Sequence, residues 1–268
     1  GFEGSQDYDL VLRLTEKTNK IFHIPKILYH WRMHSASASM SQTAKPYAYE
    51  AATKALTEAM QRRNEGGQVI PLKDSSGYYS IRYEIDRSKL VSIIIPTRDY
   101  GSILHQCLTS IFQNTSYPNY EVIVIDNGSV EAETQNILNF WKQQKQAQFK
   151  TYRLDIPFNY SQLNNYGVSQ ANGEYFIFLN NDTKILTSDW IEALVEQAKR
   201  SSIGAVSGLL LYPDKSLQNA GFVLSKNQIS SSFYQGITKI NDYDTFLQIS
   251  LINNVSAVSG ACLACRRT

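Results

Sequence analysis

The segment VSIIIPTRDYGSILHQCLTSIFQNTSYPNYEVIVID (residues 91–126) decides the architecture. Residues 91–95 form a β-branched run, residues 104–112 place apolar side chains at helical spacing, and residues 120–125 form a second run of buried type. Strand, helix and strand in so short a unit require a parallel, right-handed crossover. The alternation continues outward, with a strand expected at 149–154, a helix at 161–170, a strand at 175–179, a helix at 190–199 and a strand at 203–210. The predicted class is α/β, a layered and mostly parallel sheet with helices on both faces.

Before this zone the sequence reads differently. A helix is expected from Ser5, a plausible N-cap, with Asp7 and Asp9 in its first turn, and it breaks ahead of Pro25. Residues 45–64 carry Ala52, Ala55, Leu56, Ala59 and Met60 at helical spacing and stop at Gly66 and Gly67, as a connecting helix would. Residues 78–85 alternate like a hairpin arm.

Composition bounds the function only loosely. With 268 residues, 43% hydrophobic and 19% charged, this is an ordinary globular composition. Lys and Arg number 26 against 24 Asp and Glu, without a block of either sign, so nothing demands nucleic acid or an anionic membrane. No apolar run approaches a membrane span and no secretory signal opens the chain, which makes the cytoplasm the expected compartment. The start at Gly1 and the end directly after an apolar run read as a piece of something longer. Three cysteines are too few for a disulfide framework. Cys262 and Cys265 form a CxxC, but SGACLACRR reads as a small-residue turn entering a buried strand or helix rather than as a redox or zinc site.

Ligands of open α/β sheets lie beyond the strand carboxyl ends. Three of these strands run into polar residues there: Pro96-Thr97-Arg98-Asp99, Asp126-Asn127-Gly128-Ser129 and Asn180-Asn181-Asp182. Each could be only a loop, since Asn and Asp favour turns, yet Asp99, Asp126 and Asp182 at one edge of one sheet favour a site. Asp126 can accept a hydrogen bond from a base-edge N–H, backbone groups near Thr97 can hold a base and ribose, and Asp182 can hold a hard divalent cation against phosphates. No GxGxxG follows the first strand and no GxxxxGK[ST] occurs, so neither a dinucleotide site nor a P-loop is expected.

VSIIIPTRD, EVIVIDNGS, NYSQLNNYGVSQANGEY, LNNDT and VSGACLACRR, in that order, resemble the donor half of a family 2 glycosyltransferase with the GT-A fold, over about residues 89–268. The resemblance implies that Pro96, Thr97 and Asp99 lie beside the nucleotide, that Asp126 reads the base, and that Asn165 and Asn181 line the nucleotide pocket. It places Asp182 at the metal-binding carboxylate of a DxD-type motif, with Mg²⁺ or Mn²⁺ as cofactor. Asn180 stands where the strict motif has its first Asp, so metal binding would rest on Asp182 and the diphosphate.

The first zone resembles the other end of the same family. GFEGSQDYDLVLRLTEK is similar to the acceptor-side segment in which an ED-type pair starts a helix, with Gln6 in place of the Glu and Asp7 at the general base. HIPKILYHWRMHSASAS is similar to the loop that closes over the phosphates, which makes His34 a contact to metal or diphosphate. Residues 1–44 then read as the end of one transferase domain, 45–88 as linker helix and hairpin, and 89–268 as the truncated front of a second. Other readings stand beside these: Asp7 and Asp9 also suit any helix N-terminus, and His23 and His30 read as structural. Phe2, Tyr8, Tyr29 and Trp31 suit either an acceptor-sugar platform or a core.

The activity so implied is inverting, metal-assisted transfer of a sugar from a nucleoside-diphosphate sugar to a saccharide or lipid-linked saccharide, in surface polysaccharide assembly, with no nucleic-acid partner. The protein would work in the cytoplasm or at the inner face of the membrane, held there through other components. The alternative is a non-catalytic module that binds nucleotide sugar or saccharide. A nucleotidyltransferase would carry a Gly-rich basic loop after the first strand, where this chain has Thr97-Arg98-Asp99-Tyr100.

Overall fold

The computed structural model describes residues 1–30, 46–72, 77–224, 249 and 251–267. It separates into two compact units, Gly1–Glu84 and Ile85–Thr268.

In the first unit, α1 (Gln6–Thr15) and α2 (Pro46–Arg62) accompany a hairpin of β1 (Gly67–Pro71) and β2 (Tyr79–Tyr83). The stripe anticipated on the connecting helix is its buried face: Ala52, Ala55, Leu56, Ala59 and Met60. β1, which the sequence did not announce, supplies the antiparallel partner of β2, with Val69 opposite Ile81. Ser5 precedes α1 but its side chain does not cap it; the hydroxyl donates instead to the Ala48 carbonyl at 2.6 Å. Asp9 is buried and pairs with Arg13 at 2.8 Å, one turn on.

The second unit holds β3 (Val91–Thr97), α3 (Gly101–Asn114), β4 (Tyr120–Asp126), α4 (Ala132–Gln144), β5 (Phe149–Arg153), α5 (Tyr160–Gln170), β6 (Tyr175–Leu179), α6 (Trp190–Ala198), β7 (Val206–Ser207), β8 (Leu210–Leu211), β9 (Leu217–Asn219) and β10 (Cys262–Arg266). Six strands form the main sheet in the order β5-β4-β3-β6-β10-β7. β5, β4, β3 and β6 are mutually parallel, and β10 runs antiparallel between β6 and β7. This is the predicted layered sheet.

Alternation along β3 divides the core between two faces. Val91, Ile93 and Ile95 join Leu104, Leu108 and Ile111 of α3, Leu138 and Trp141 of α4, and Ile191 and Leu194 of α6. Ile94 turns the other way, to Ile123, Ile125, Phe176 and Leu163 of α5. At about 25 cal/mol per Å² of apolar surface, these fully buried branched chains dominate the unit's stability.

Two expectations need correction. The single strand anticipated at 203–210 is broken: β7 joins the main sheet while β8 pairs with β9 in a separate two-stranded sheet. Gly204 and Gly208 fall in that stretch, and neither offers a side chain to pack in a continuous strand. The helix α4 was not anticipated, because AETQNILNFWKQQ buries only Thr134, Leu138 and Trp141 and its pattern is mostly polar. The CxxC stretch is β10, with Cys262 opposite Leu179 and Cys265 opposite Phe176, and the free cysteines are part of the packing. Burial pushes the Cys107 thiol up to about 12 and the Cys262 thiol up to about 11, so neither is a nucleophile at neutral pH.

Candidate functional site

Register brings the polar strand ends to one level. Thr97 lies opposite Asp126 in the β3–β4 ladder, and Ile94 lies opposite Phe178 in the β3–β6 ladder, so the residues just after β6 come abreast of Thr97. Asn181 Nδ2 accordingly donates to Thr97 Oγ1 at 2.9 Å, tying the end of β6 to the end of β3. The Asn127 N–H donates to the Thr97 carbonyl at 2.8 Å, tying β4 to β3. Thr97, Asn181, Asp126 and Asp99 are thus joined through one hydrogen-bonded edge; Pro96 lies within the same strand end.

Each acidic residue has a distinct environment. Asp126 is buried: Oδ1 accepts the Ser129 N–H at 2.8 Å, while Oδ2 faces Arg153 Nη1 at 3.2 Å and Gln135 Nε2 at 3.4 Å. Asp99 Oδ1 accepts the Glu131 and Val130 N–H groups at 3.0 and 2.7 Å, and these bonds hold its carboxyl below the ordinary aspartate value. Asp182 is exposed, and its carboxylate takes part in no hydrogen bond or ion pair among the described residues. Asn180 to Thr183 form a turn, closed by the Thr183 hydroxyl donating to the Asn180 carbonyl at 2.8 Å. This turn presents Asp182 at the sheet edge.

Asn165 is exposed on α5, and its neighbour Asn164 is buried with Nδ2 donating to the Tyr160 carbonyl at 2.9 Å. The helix seats against the sheet at Gly167, where a Cβ would meet Ile94 Cγ2 at 2.4 Å. Asp7 stands in the first unit, exposed in the first turn of α1, accepting the Tyr8 N–H at 2.9 Å. His34 and Trp31 lie outside the described residues.

A divalent cation fits the donor set of the edge. Mg²⁺ and Mn²⁺ take oxygen ligands, and Mg²⁺ in particular is commonly held by one or two carboxylates plus substrate phosphates. The free carboxylate of Asp182 meets that requirement without displacing a protein partner.

The sequence profile described as "Glycosyl transferase family 2" matches residues 92–268. The chain belongs to glycosyl transferase family 2. Two relatives align along the whole of it. It is 39% identical over 277 residues to "Uncharacterized protein y4gI" of Sinorhizobium fredii and 33% identical over 267 residues to "O-antigen biosynthesis protein RfbC" of Myxococcus xanthus. It spans only 29% and 20% of their respective lengths. Among solved structures, the mannosyltransferase PcManGT from Pyrobaculum calidifontis in complex with GDP-Man and Mn²⁺ is similar at 19% identity, with a TM-score of 0.42, over 62% of this chain and 45% of that one. Among the described residues no helix is long and apolar enough to cross a membrane.

At this family 2 edge sequence reasoning missed Arg153 and the part that Asn127 plays. Arg153, at the end of β5, bonds Asp126 and the Ser129 carbonyl with Nη1, at 3.2 and 3.0 Å, and reaches Asp155 with Nη2 at 3.2 Å. Asn127 is buried, and Nδ2 donates to the Leu154 and Ile156 carbonyls at 2.9 and 2.8 Å, fixing the β5–α5 connection. The signal available for Arg153 was its place at a strand's carboxyl end, level with Asp126.

Proposed function

We propose that this chain binds a nucleoside-diphosphate sugar at the β3–β4–β6 edge and serves a glycosyltransferase that passes the sugar to a hydroxyl of a saccharide or lipid-linked saccharide. The observation that carries the reading is the contrast among the acidic residues: Asp99 and Asp126 are engaged by the protein, whereas Asp182 is exposed at the same edge and, among the described residues, unengaged. The edge near Thr97, Asp126, Asn165 and Asn181 would take the base and ribose, and Asp182 would hold Mg²⁺ or Mn²⁺. A cation there supplies charge stabilisation to the leaving diphosphate.

The protein's own groups have separable parts. Arg153 keeps Asp126 oriented, so that a base-edge N–H would compete for a carboxylate already fixed in place. Asn181 holds Thr97 and the Asp182 turn at one level. Asp7 and His34 belong to the first of the two domains in this reading, where Asp7 is the residue proposed to take the proton of an acceptor hydroxyl in a single inverting displacement and His34 a phosphate or metal contact. The division into residues 1–44, 45–88 and 89–268, the end of one transferase domain joined to the front of another, belongs to the same reading. Surface polysaccharide assembly, in the cytoplasm or at the inner face of the membrane, agrees with the O-antigen biosynthesis named in the Myxococcus xanthus relative.

Calorimetric titration with UDP, dTDP and GDP, with and without Mn²⁺, tests the donor site. Binding of one nucleotide that strengthens with Mn²⁺ and loses that strengthening in Asp182→Ala is the expected result. Mn²⁺-independent binding unchanged in the variant would remove Asp182 from the site.

A further inference from the structure

The β3–α3 and β4–α4 loops exchange carboxylates. Asp99 Oδ1 accepts the Val130 and Glu131 N–H groups at 2.7 and 3.0 Å, immediately ahead of α4. In return, Glu131 Oε2 accepts the Tyr100 N–H at 2.8 Å, immediately ahead of α3. Ser129 Oγ adds a third tie by accepting the Asp99 N–H at 2.8 Å. Neither helix is capped by the side chain of its own N-cap residue, Tyr100 for α3 and Glu131 for α4. The free N–H groups of each loop are satisfied from the other.

This exchange holds an unusual backbone. Asp99 and Tyr100 are consecutive non-glycine residues at φ +55° and +54°, a region that L side chains enter at a cost and keep only when their surroundings over-determine it. The next residue, Gly101, meets α4 backbone to backbone: a Cβ there would lie 2.8 Å from Thr134 N and 2.9 Å from Thr134 Cα. The strained pair begins two residues beyond Thr97 and is bonded to the loop that begins directly after Asp126. Strain of this kind concentrates at ligand clamps.

We infer that Asp99 and Glu131 are positioning residues that act through the loops, holding the Thr97–Asp126 edge in its binding-competent shape before the nucleotide arrives. The inference rests on the donor-site reading above and departs from a direct role for Asp99 beside the nucleotide. A lost lock lowers the fraction of competent protein and so slows association, while the bound complex, and hence dissociation, stays as it was. A lost direct contact does the reverse and speeds dissociation.

Stopped-flow binding of mant-UDP and mant-GDP with Mn²⁺ separates the two. Asp99→Ala and Glu131→Ala should each slow association about tenfold, as a competent fraction cut to about a tenth requires, with dissociation within about twofold of wild type. Asp99→Asn keeps an acceptor oxygen and should restore wild-type association. The double Ala variant should be scarcely slower than the slower single one, because the two residues serve one lock. Faster dissociation in both Asp99→Ala and Asp99→Asn would overturn the inference by showing that the carboxylate touches the ligand. Unchanged kinetics in both Ala variants would overturn it while leaving the donor site standing. Absence of binding by the wild-type protein to UDP, GDP and dTDP alike, with Mn²⁺ present, would instead defeat the donor-site reading and the inference with it. If Asp99→Ala fails to fold, Ser129→Ala, which removes a single tie, carries the same comparison.

Discussion

Glu121 is the place to test how the amino ends of the sheet are held. It is 4% exposed at the start of β4, and three donors converge on it: Lys150 Nζ at 2.6 Å, Ser92 Oγ at 2.7 Å and the Asn172 N–H at 2.8 Å. Ser92 Oγ in turn accepts the Gly173 N–H at 2.9 Å, so one carboxylate joins β3, β4, β5 and the approach to β6. Burial alone would raise its pKa, but Lys150, the Asn172 N–H and Ser92 together outweigh that and hold it below the ordinary glutamate value. Its contribution is therefore complete above the unfolded pKa of about 4.3 and is lost as pH falls through the lower folded value. Glu121→Gln keeps the volume and an acceptor but loses the charge, which should cost about 1.5–3 kcal/mol at pH 7. For a body of this size that is a fall in melting temperature of about 3–12 °C. Glu121→Ala strands the lysine and two buried donors and should cost about 3–5 kcal/mol. Thermal unfolding followed by circular dichroism from pH 7 to pH 3 would measure both variants. The gap between wild type and Glu121→Gln should close below about pH 4. A gap under 1 °C at pH 7, on the order of 0.5 kcal/mol or less, or one of constant size down to pH 3, would refute the reasoning.

The same corner predicts a cost for Gly173→Ala, whose Cβ would fall 2.6 Å from Ser92 Oγ and 2.8 Å from the Leu90 carbonyl. Overpacking against backbone should destabilise by about 1–3 kcal/mol, measurable as a shift in the urea midpoint at unchanged slope. Thiol titration with an aromatic disulfide at pH 8 should label Cys265 first, since it is only partly buried, while Cys107 and Cys262 should react only on unfolding. Rapid labelling of all three in the native protein would contradict the packing of α3 and β10.

What was legible in the sequence was what local chemistry determines. β3, β4 and β6 follow from short runs rich in β-branched and aromatic residues, as strands buried on both faces show, and the α2 stripe follows from the period that burial on one face leaves. The presence of Asp126 and Asp182 at one sheet edge was legible for the same reason, once the strands were read as parallel. Long-range pairings were not. Nothing within PTRDYG shows that Asp99 will meet the N–H groups of Val130 and Glu131, about thirty residues on, and its role is written in that encounter. Arg153 likewise gained meaning only when β5 came to lie beside β4. The orientation of β10 was hidden too, since CLACR carries the same alternation whether it runs with its neighbours or against them.

The position of β10 sets a schedule for synthesis. Of the six strands of the main sheet it leaves the ribosome last, yet it belongs in the interior, between β6 and β7. Until residues 262–266 emerge, β6 shows an unpaired edge and β7 has no neighbour in the sheet at all. At about 5–20 residues per second the nascent chain spends seconds in that state between making β7 and making β10. An open edge formed by Phe176, Ile177 and Phe178 invites pairing with another chain. The interval in which that edge stands open therefore falls between the making of β7 and the making of β10, after β3, β4 and β6 have already been made.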